Sequence, residues 1–266
     1  MPELPEVEAI VRRLRPEVIR AKIARVEVLR ARTVLPQKPA TVSAAAGKKI
    51  EAVERRGKNI VVRLSSEAAL RIHLRMTGIL RVIPDARLYT DSVRVLFALK
   101  DGRGVVFEDR RILGTVHFHS QAEIDEKLAK LGVEPLTRAF TTRYLIEATR
   151  RSKRPVKIFL MDQKIIAGLG NIYAAESLFA ARIHPDQPAN RVPEQKLIDL
   201  HTSIPKVLRI AIRDAVKTYS APDLHEGMHF QVYGRKGEPC FVCGKRIKTM
   251  LQGGRTTYFC QNCQRK

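Results

Sequence analysis

All four cysteines fall within the last 27 residues: Cys240, Cys243, Cys260 and Cys263. They read C-x2-C, sixteen intervening residues, then C-x2-C. Pairs at this spacing fit a zinc ribbon, with four thiolates around one tetrahedral ion. That leaves no open position for water, so one structural Zn2+ is expected. Two disulfides are the alternative, which a reducing compartment disfavours. At the other end, Pro2 follows Met1. Removal of the methionine would free a secondary amine. Its reference pKa is about 7.7–8.0, against about 10.4 for lysine, so a useful fraction is neutral at physiological pH. Attack on a sugar C1′ gives a cationic iminium, an electron sink that permits β-elimination. Glu3 stands beside it and is suited to shuttle protons. A Met-Pro start alone carries little weight, because most such prolines simply open a helix or loop.

Elements must position these groups. Pro5 suits a first helical turn, and Val7, Ile10, Val11 and Leu14 recur at helical spacing, which predicts a helix over 5–20. Short alternating runs follow from about 22 to 119, among them 22–29, 50–55, 60–64, 70–74, 93–99 and 105–107. Asp101-Gly102 is a hairpin signal, and strands this close together suggest a β-sandwich. Helical period returns near 121. Thr141 or Thr142 can cap a helix to about Arg150, and Pro155 opens another through Met161. A glycine-rich turn over Gly168 to Asn171 leads into a helix over 172–181. A long helical segment follows Pro193, with Pro205 as a kink or restart. The expected architecture is α+β: an N-terminal β-sandwich domain with flanking helices (1–131), a helical middle (132–231) and a C-terminal zinc hairpin (232–266). A cleft between halves is a natural ligand site.

Lysine and arginine total 49 against 27 acids, a formal charge of +22, and the pI is near 10.3. A surplus this large points to a polyanion, with nucleic acid ahead of a membrane surface. No signal peptide is visible, and no apolar run approaches the 18 or so residues of a membrane span. Work in the cytoplasm is expected, on the nucleoid if the partner is DNA.

The segments MPELPEVE, RRGKNI, HLRMTG, KIFLMDQK, GLGNIYAAESLFAARIHP and QVYGRKGEPC, with the cysteine spacing, resemble the formamidopyrimidine-DNA glycosylase family over nearly the whole chain. The resemblance implies a β-sandwich, a helix-two-turns-helix module and a zinc finger around damaged duplex DNA, acting as a monomer. It implies base excision followed by β- and δ-elimination at the abasic sugar, with no organic cofactor. By that resemblance Pro2 is the Schiff-base nucleophile and Glu3 the proton donor that helps open the deoxyribose. Glu6 is a further active-site acid. Lys58, Asn171 and Arg255 would contact phosphates, and Lys157 matches a lysine near the active site that is assigned to DNA. Read on its own, Lys58 is a solvated turn lysine, Asn171 a helix cap, and Arg255 a surface charge on a hairpin. Tyr173 reads as packing, and Glu176 belongs to the same stretch.

Chemistry on a base requires taking it out of the stack, and something must fill the gap. Met76, Arg111 and Leu113 match the family's three wedge residues. Leu113 stands where the family has phenylalanine in a segment like Asp-Pro-Arg-Arg-Phe-Gly. The loop 220–230 is also shorter than in members that prefer oxidised guanine. Both departures bear on lesion and opposite-base preference. Oxidised purines are the leading substrate. Oxidised pyrimidines, as for the endonuclease VIII group, and a non-catalytic zinc-finger DNA-binding protein are the other two readings. His73, His117 and His119 invite a metal reading, which is set aside because no clustered third ligand accompanies them.

Overall fold

The computed structural model describes residues 2–218 and 229–266. Much of the 220–230 loop therefore lies outside the described residues. In chain order come α1 (Leu4–Val18), β1 (Ile23–Val28), α2 (Pro39–Ser43), β2 (Ile50–Arg56), β3 (Asn59–Leu64), β4 (Ala68–His73), β5 (Gly78–Ile83), β6 (Val93–Leu99), β7 (Gly104–Asp109), β8 (Thr115–Ser120) and α3 (Gln121–Ala129). Then come α4 (Thr142–Arg150), α5 (Val156–Leu160), α6 (Asn171–Ala180), α7 (Glu194–Lys217), β9 (Lys248–Gln252) and β10 (Arg255–Phe259). They form two compact units, one up to Lys130 and one from Leu131 onward, the end of α7 aside. The cysteine module belongs to the second unit.

The first unit has two four-stranded sheets, ordered β1-β6-β7-β5 and β2-β3-β4-β8. Every pairing is antiparallel. Both contribute to one apolar core, with Val53, Ile60, Leu70 and Ile72 from one sheet and Leu80, Val95, Phe97 and Phe107 from the other. Val7, Ile10, Val11, Leu14 and Val18 of α1 join that core. Their spacing makes one helical face, and each buried side chain contributes about 1.5–3 kcal/mol. β6 is buried along its whole length, apolar except for Arg94, whose guanidinium donates to the Asp109 and Asp91 carbonyls. β5 and β8 are not among the strands enumerated from sequence, and β5 opens on Gly78. The glycine is there for close approach: a Cβ on it would lie 2.5 Å from the Leu74 carbonyl oxygen.

Within β8, His117 contacts the Leu35 carbonyl at 2.7 Å and Arg71 at 3.2 Å. The Nε2 of neighbouring His119 is buried without a hydrogen-bond partner. Burial first, then the Arg71 and Lys127 charges, hold His119 down at about 4, against a weak opposing pull from Glu123. Burial and the Arg75, Lys58 and Arg71 charges do the same to His73. Unfolded histidine titrates near 6.5, so as pH falls the unfolded state binds protons first. Stability present above about pH 6.5 should therefore be lost between about 6.5 and 4. The thermal midpoint should drop over this window, and His119→Gln should flatten the drop. An unchanged profile in that variant would remove His119 from the account.

In the second unit Thr141 caps α4, its hydroxyl accepting from the Tyr144 N–H. α7 runs through Pro205 as one helix, so the expected restart is absent. An internal proline costs about 3 kcal/mol or more, but Leu197, Leu200, Ile204, Leu208 and Ala211 bury a continuous stripe that offsets it. The buried Glu176 carboxylate of α6 accepts from the N–H groups of Gln231, Val232 and Tyr233, each at 2.9 Å, and so fixes the segment that enters the cysteine module.

Candidate functional site

Pro2, Glu3 and Glu6 come together at the start of α1, and all three are buried. Glu3 is the N-cap, and a capping box closes on it. Its side chain accepts from the Glu6 backbone, while Glu6 Oε2 accepts from the Glu3 N–H at 2.7 Å. The box fixes the turn on which Pro2 sits.

Lys58 occupies the two-residue turn between β2 and β3, whose flanking residues Arg56 and Asn59 pair across the ladder. Gly57 takes φ 57°, the positive value that a II′-type turn requires at its first central position. A lysine in such a turn is ordinarily solvated, yet Lys58 is only 8% exposed. Arg55 ties this hairpin to α1 through Glu8 at 2.9 Å. Burial pushes the Glu8 carboxyl up, but the Arg12 and Arg55 guanidiniums outweigh it and hold Glu8 below the usual range.

Met76 and Leu113 lie on the loops after β4 and β7, 42% and 37% exposed. Arg111 shares the second loop, and its N–H reaches the Thr77 hydroxyl at 3.3 Å. Asp109 and Thr77, neither singled out from sequence, organise these loops.

In the second unit, Asn171 opens α6 behind the Gly168–Gly170 turn. Gln163 shapes that turn, accepting from the Gly168 N–H at 2.9 Å and donating to the Leu169 carbonyl at 2.7 Å. The Asn171 amide donates to the Thr256 carbonyl at 3.0 Å, and its Oδ1 accepts from Lys157. Lys157 itself is 0% exposed. Tyr173 is buried, its ring edge-on to Phe230. Gly253 and Gly254 take φ 54° and 71°, the paired positive values of an I′ turn. This turn pins the β9–β10 register and sets Arg255 opposite Gln252, exposed at the hairpin tip.

The four cysteine sulfurs lie within 4.8 Å of one another, with Cys240–Cys263 at 3.9 Å and Cys243–Cys260 at 3.5 Å. A tetrahedron of Zn–S bonds of about 2.3 Å has sulfur edges of about 3.8 Å, so the set fits zinc. The Lys245 N–H, followed by Asn262, pulls the Cys243 thiol down to about 6, towards the thiolate a metal needs. Burial pushes Cys260 and Cys263 up, which makes that packed pair costly to ionise without a cation.

A β-sandwich, a helical unit with a glycine-rich turn and a four-thiolate hairpin together define an α+β protein that ends in a zinc finger. Similarity to known proteins carries this further. Residues 1–116 match the formamidopyrimidine-DNA glycosylase N-terminal domain, residues 131–222 the H2TH domain of the same family, and residues 237–265 a zinc finger found in FPG and IleRS. The formamidopyrimidine-DNA glycosylase of Geotalea uraniireducens is 40% identical, aligned over 99% of this chain and 100% of its own. That of Chloroflexus aggregans is 38% identical over 99% and 98%. Lactococcus lactis Fpg bound to abasic-site DNA superposes with TM-score 0.91 at 32% identity, covering 99% of this chain and all of that one. Its complex with N7-benzyl-Fapy-dG DNA gives 0.92 at 32%, with both chains fully covered. The chain belongs to the formamidopyrimidine-DNA glycosylase family.

Proposed function

We propose that this chain removes oxidised purines of the formamidopyrimidine type from duplex DNA and then nicks the abasic strand. The observation that carries the reading is the burial of Pro2 beside Glu3, immediately before the capping box that Glu6 closes. The complexes of the Lactococcus lactis protein with Fapy-dG DNA support the substrate class. With Met1 removed, the Pro2 nitrogen pair attacks C1′, the base leaves with the glycosidic electrons, and the N–H proton of the resulting ammonium passes to the departing base, which restores the nitrogen pair. Glu3 delivers a proton to O4′ as the C1′–O4′ bond breaks, which leaves an iminium between Pro2 and C1′. Loss of a C2′ proton expels the 3′ phosphate, and a second elimination expels the 5′ phosphate. Lys58, Asn171 and Arg255 hold phosphates, while Met76, Arg111 and Leu113 fill the gap left by the base. Zinc, held by the four thiolates, supplies rigidity to the hairpin that carries Arg255. A monomer in the cytoplasm, nucleoid-associated when on DNA, suits this role. Among the described residues no helix is long and apolar enough to cross a membrane.

The test is borohydride reduction during turnover of a Fapy-containing duplex. The expected product is a protein–DNA adduct on the N-terminal proline; an adduct mapped to a lysine overturns the assignment.

Lys157 acts on DNA through Asn171, since its ammonium is enclosed against the Asn171 oxygen. Lys157→Met should weaken duplex binding about tenfold yet leave the salt dependence of log K unchanged, whereas Arg255→Ala should reduce that slope by about one. A reduction of about one in Lys157→Met would instead make it a direct phosphate ligand.

A further inference from the structure

Two loops of the first unit each present an exposed apolar side chain, Met76 after β4 and Leu113 after β7. In each loop the preceding residue has left-handed backbone, Arg75 at φ 54° and Ile112 at φ 52°. For a β-branched isoleucine that conformation is an outlier, and it persists only where the surroundings over-determine it.

Asp109 is the over-determining group. Its carboxylate belongs to a residue 1% exposed. Oδ1 accepts from the Thr77 hydroxyl and from the Arg111 N–H at 3.1 Å. Oδ2 accepts from the Leu113 and Gly114 N–H groups, both at 2.7 Å. The Asp109 backbone is fixed as well, its carbonyl accepting from Arg94 at 2.7 Å and its N–H donating to Ser92 at 3.0 Å. Thr77 belongs to the Met76 loop and reaches the other loop twice, through Asp109 and through the Arg111 N–H. Each loop is also closed by a glycine. A Cβ on Gly114 would lie 2.5 Å from the Phe107 ring, and one on Gly78 would lie 2.9 Å from the same atom.

We propose that Thr77 and Asp109 form a clamp that joins the two loops into one preformed blade. They are positioning residues for base extrusion, acting through Met76, Arg111 and Leu113. The inference rests on the reading of those three as the wedge. A wedge works only if its side chains keep their spacing while base pairs push back. The clamp supplies that stiffness before DNA arrives, and Leu113, which stacks less well than an aromatic ring, depends on it the more.

The experiment uses a Fapy-containing duplex with 2-aminopurine beside the lesion, whose fluorescence reports extrusion. Thr77→Val keeps shape and removes the hydroxyl, while Thr77→Ser keeps the hydroxyl. The Thr77→Val variant should lose about tenfold in extrusion rate and in excision, change by less than about threefold in nicking a preformed abasic site, and recover in Thr77→Ser. Equal losses on both substrates, or loss of neither, overturn the clamp. Met76→Ala and Leu113→Ala separate the two ideas. If they slow extrusion and Thr77→Val does not, the clamp fails and the wedge stands. If they leave extrusion unchanged, the wedge reading fails and the clamp falls with it. The unsubstituted protein offers an independent measurement, because the Arg111, Leu113 and Gly114 amides should exchange slowly with deuterium in the absence of DNA. Exchange at the rate of an open loop overturns a preformed blade.

Discussion

A Pro2→Gly variant is expected to lose at least about 10²-fold in nicking of a Fapy-containing duplex, on the order of 3 kcal/mol of barrier. Glycine leaves a primary amine where proline leaves a secondary one. The two diverge once C1′ has been attacked. An imine from a primary amine sheds its remaining N–H proton and becomes neutral, which ends its service as an electron sink. An iminium from proline has no such proton and stays cationic at every pH. Elimination in the variant should therefore slow relative to the parent as pH rises, once amine deprotonation, which both share, is divided out. Position changes as well, since Pro2 is packed in a buried turn that the Glu3–Glu6 capping box fixes. Single-turnover nicking and borohydride trapping from pH 6 to 9 measure both effects. Unchanged rates and adduct yield would return the nucleophile to an unassigned amine.

Stripping zinc, or replacing Cys260 with serine, is expected to lower duplex affinity by at least about 10²-fold. The two hairpin strands have five residues each, and an isolated hairpin of that size is marginal in water. The cluster around them is small: Ala175, Phe179, Val232 and Ile247 pack with Cys240 and Cys260. Structural zinc sites contribute about 10–16 kcal/mol in apparent binding free energy, more than so small a cluster supplies. Without it the register that presents Arg255 dissolves, and so does the Thr256 carbonyl that holds the Asn171 amide. The first unit should keep its own thermal transition. Anisotropy with a labelled duplex, beside metal analysis, measures the loss, and returned zinc should restore binding. Tight binding by verified metal-free protein would show that the hairpin stands unaided.

Spacing made the thiolate set legible, because two C-x2-C pairs suit four sulfurs on one ion better than the alternative of two disulfides. The helices before Arg150 and after Asn171 were legible through a capping threonine and a glycine turn. Pro2, Glu3 and Lys58 were not legible from residue type, since each has an ordinary structural explanation. They stood out through the order of several segments along the chain. Burial was the least visible quantity. Lys157 has the composition of a surface cation and is wholly enclosed. Asp109 and Gln163 escaped notice because their work is to hold backbone N–H and C=O groups, which any short polar side chain can do. At Pro205 local propensity favoured a kink or a restart within the long helical segment, and the buried stripe of α7 outweighed the restart.

The sealed turn around Pro2 has a practical side for anyone who makes this protein. If the Pro2 nitrogen is the nucleophile proposed, an affinity tag or an uncleaved leader at the amino terminus would hold it as an amide and leave a folded but inactive molecule. Competence would then be decided at the ribosome, by an aminopeptidase, and not by the folding of either unit. A well-behaved, monodisperse preparation could hold any fraction of live enzyme. Its intact mass spectrum, which separates chains with and without the initiator methionine, would serve as an active-site titration before any substrate is added.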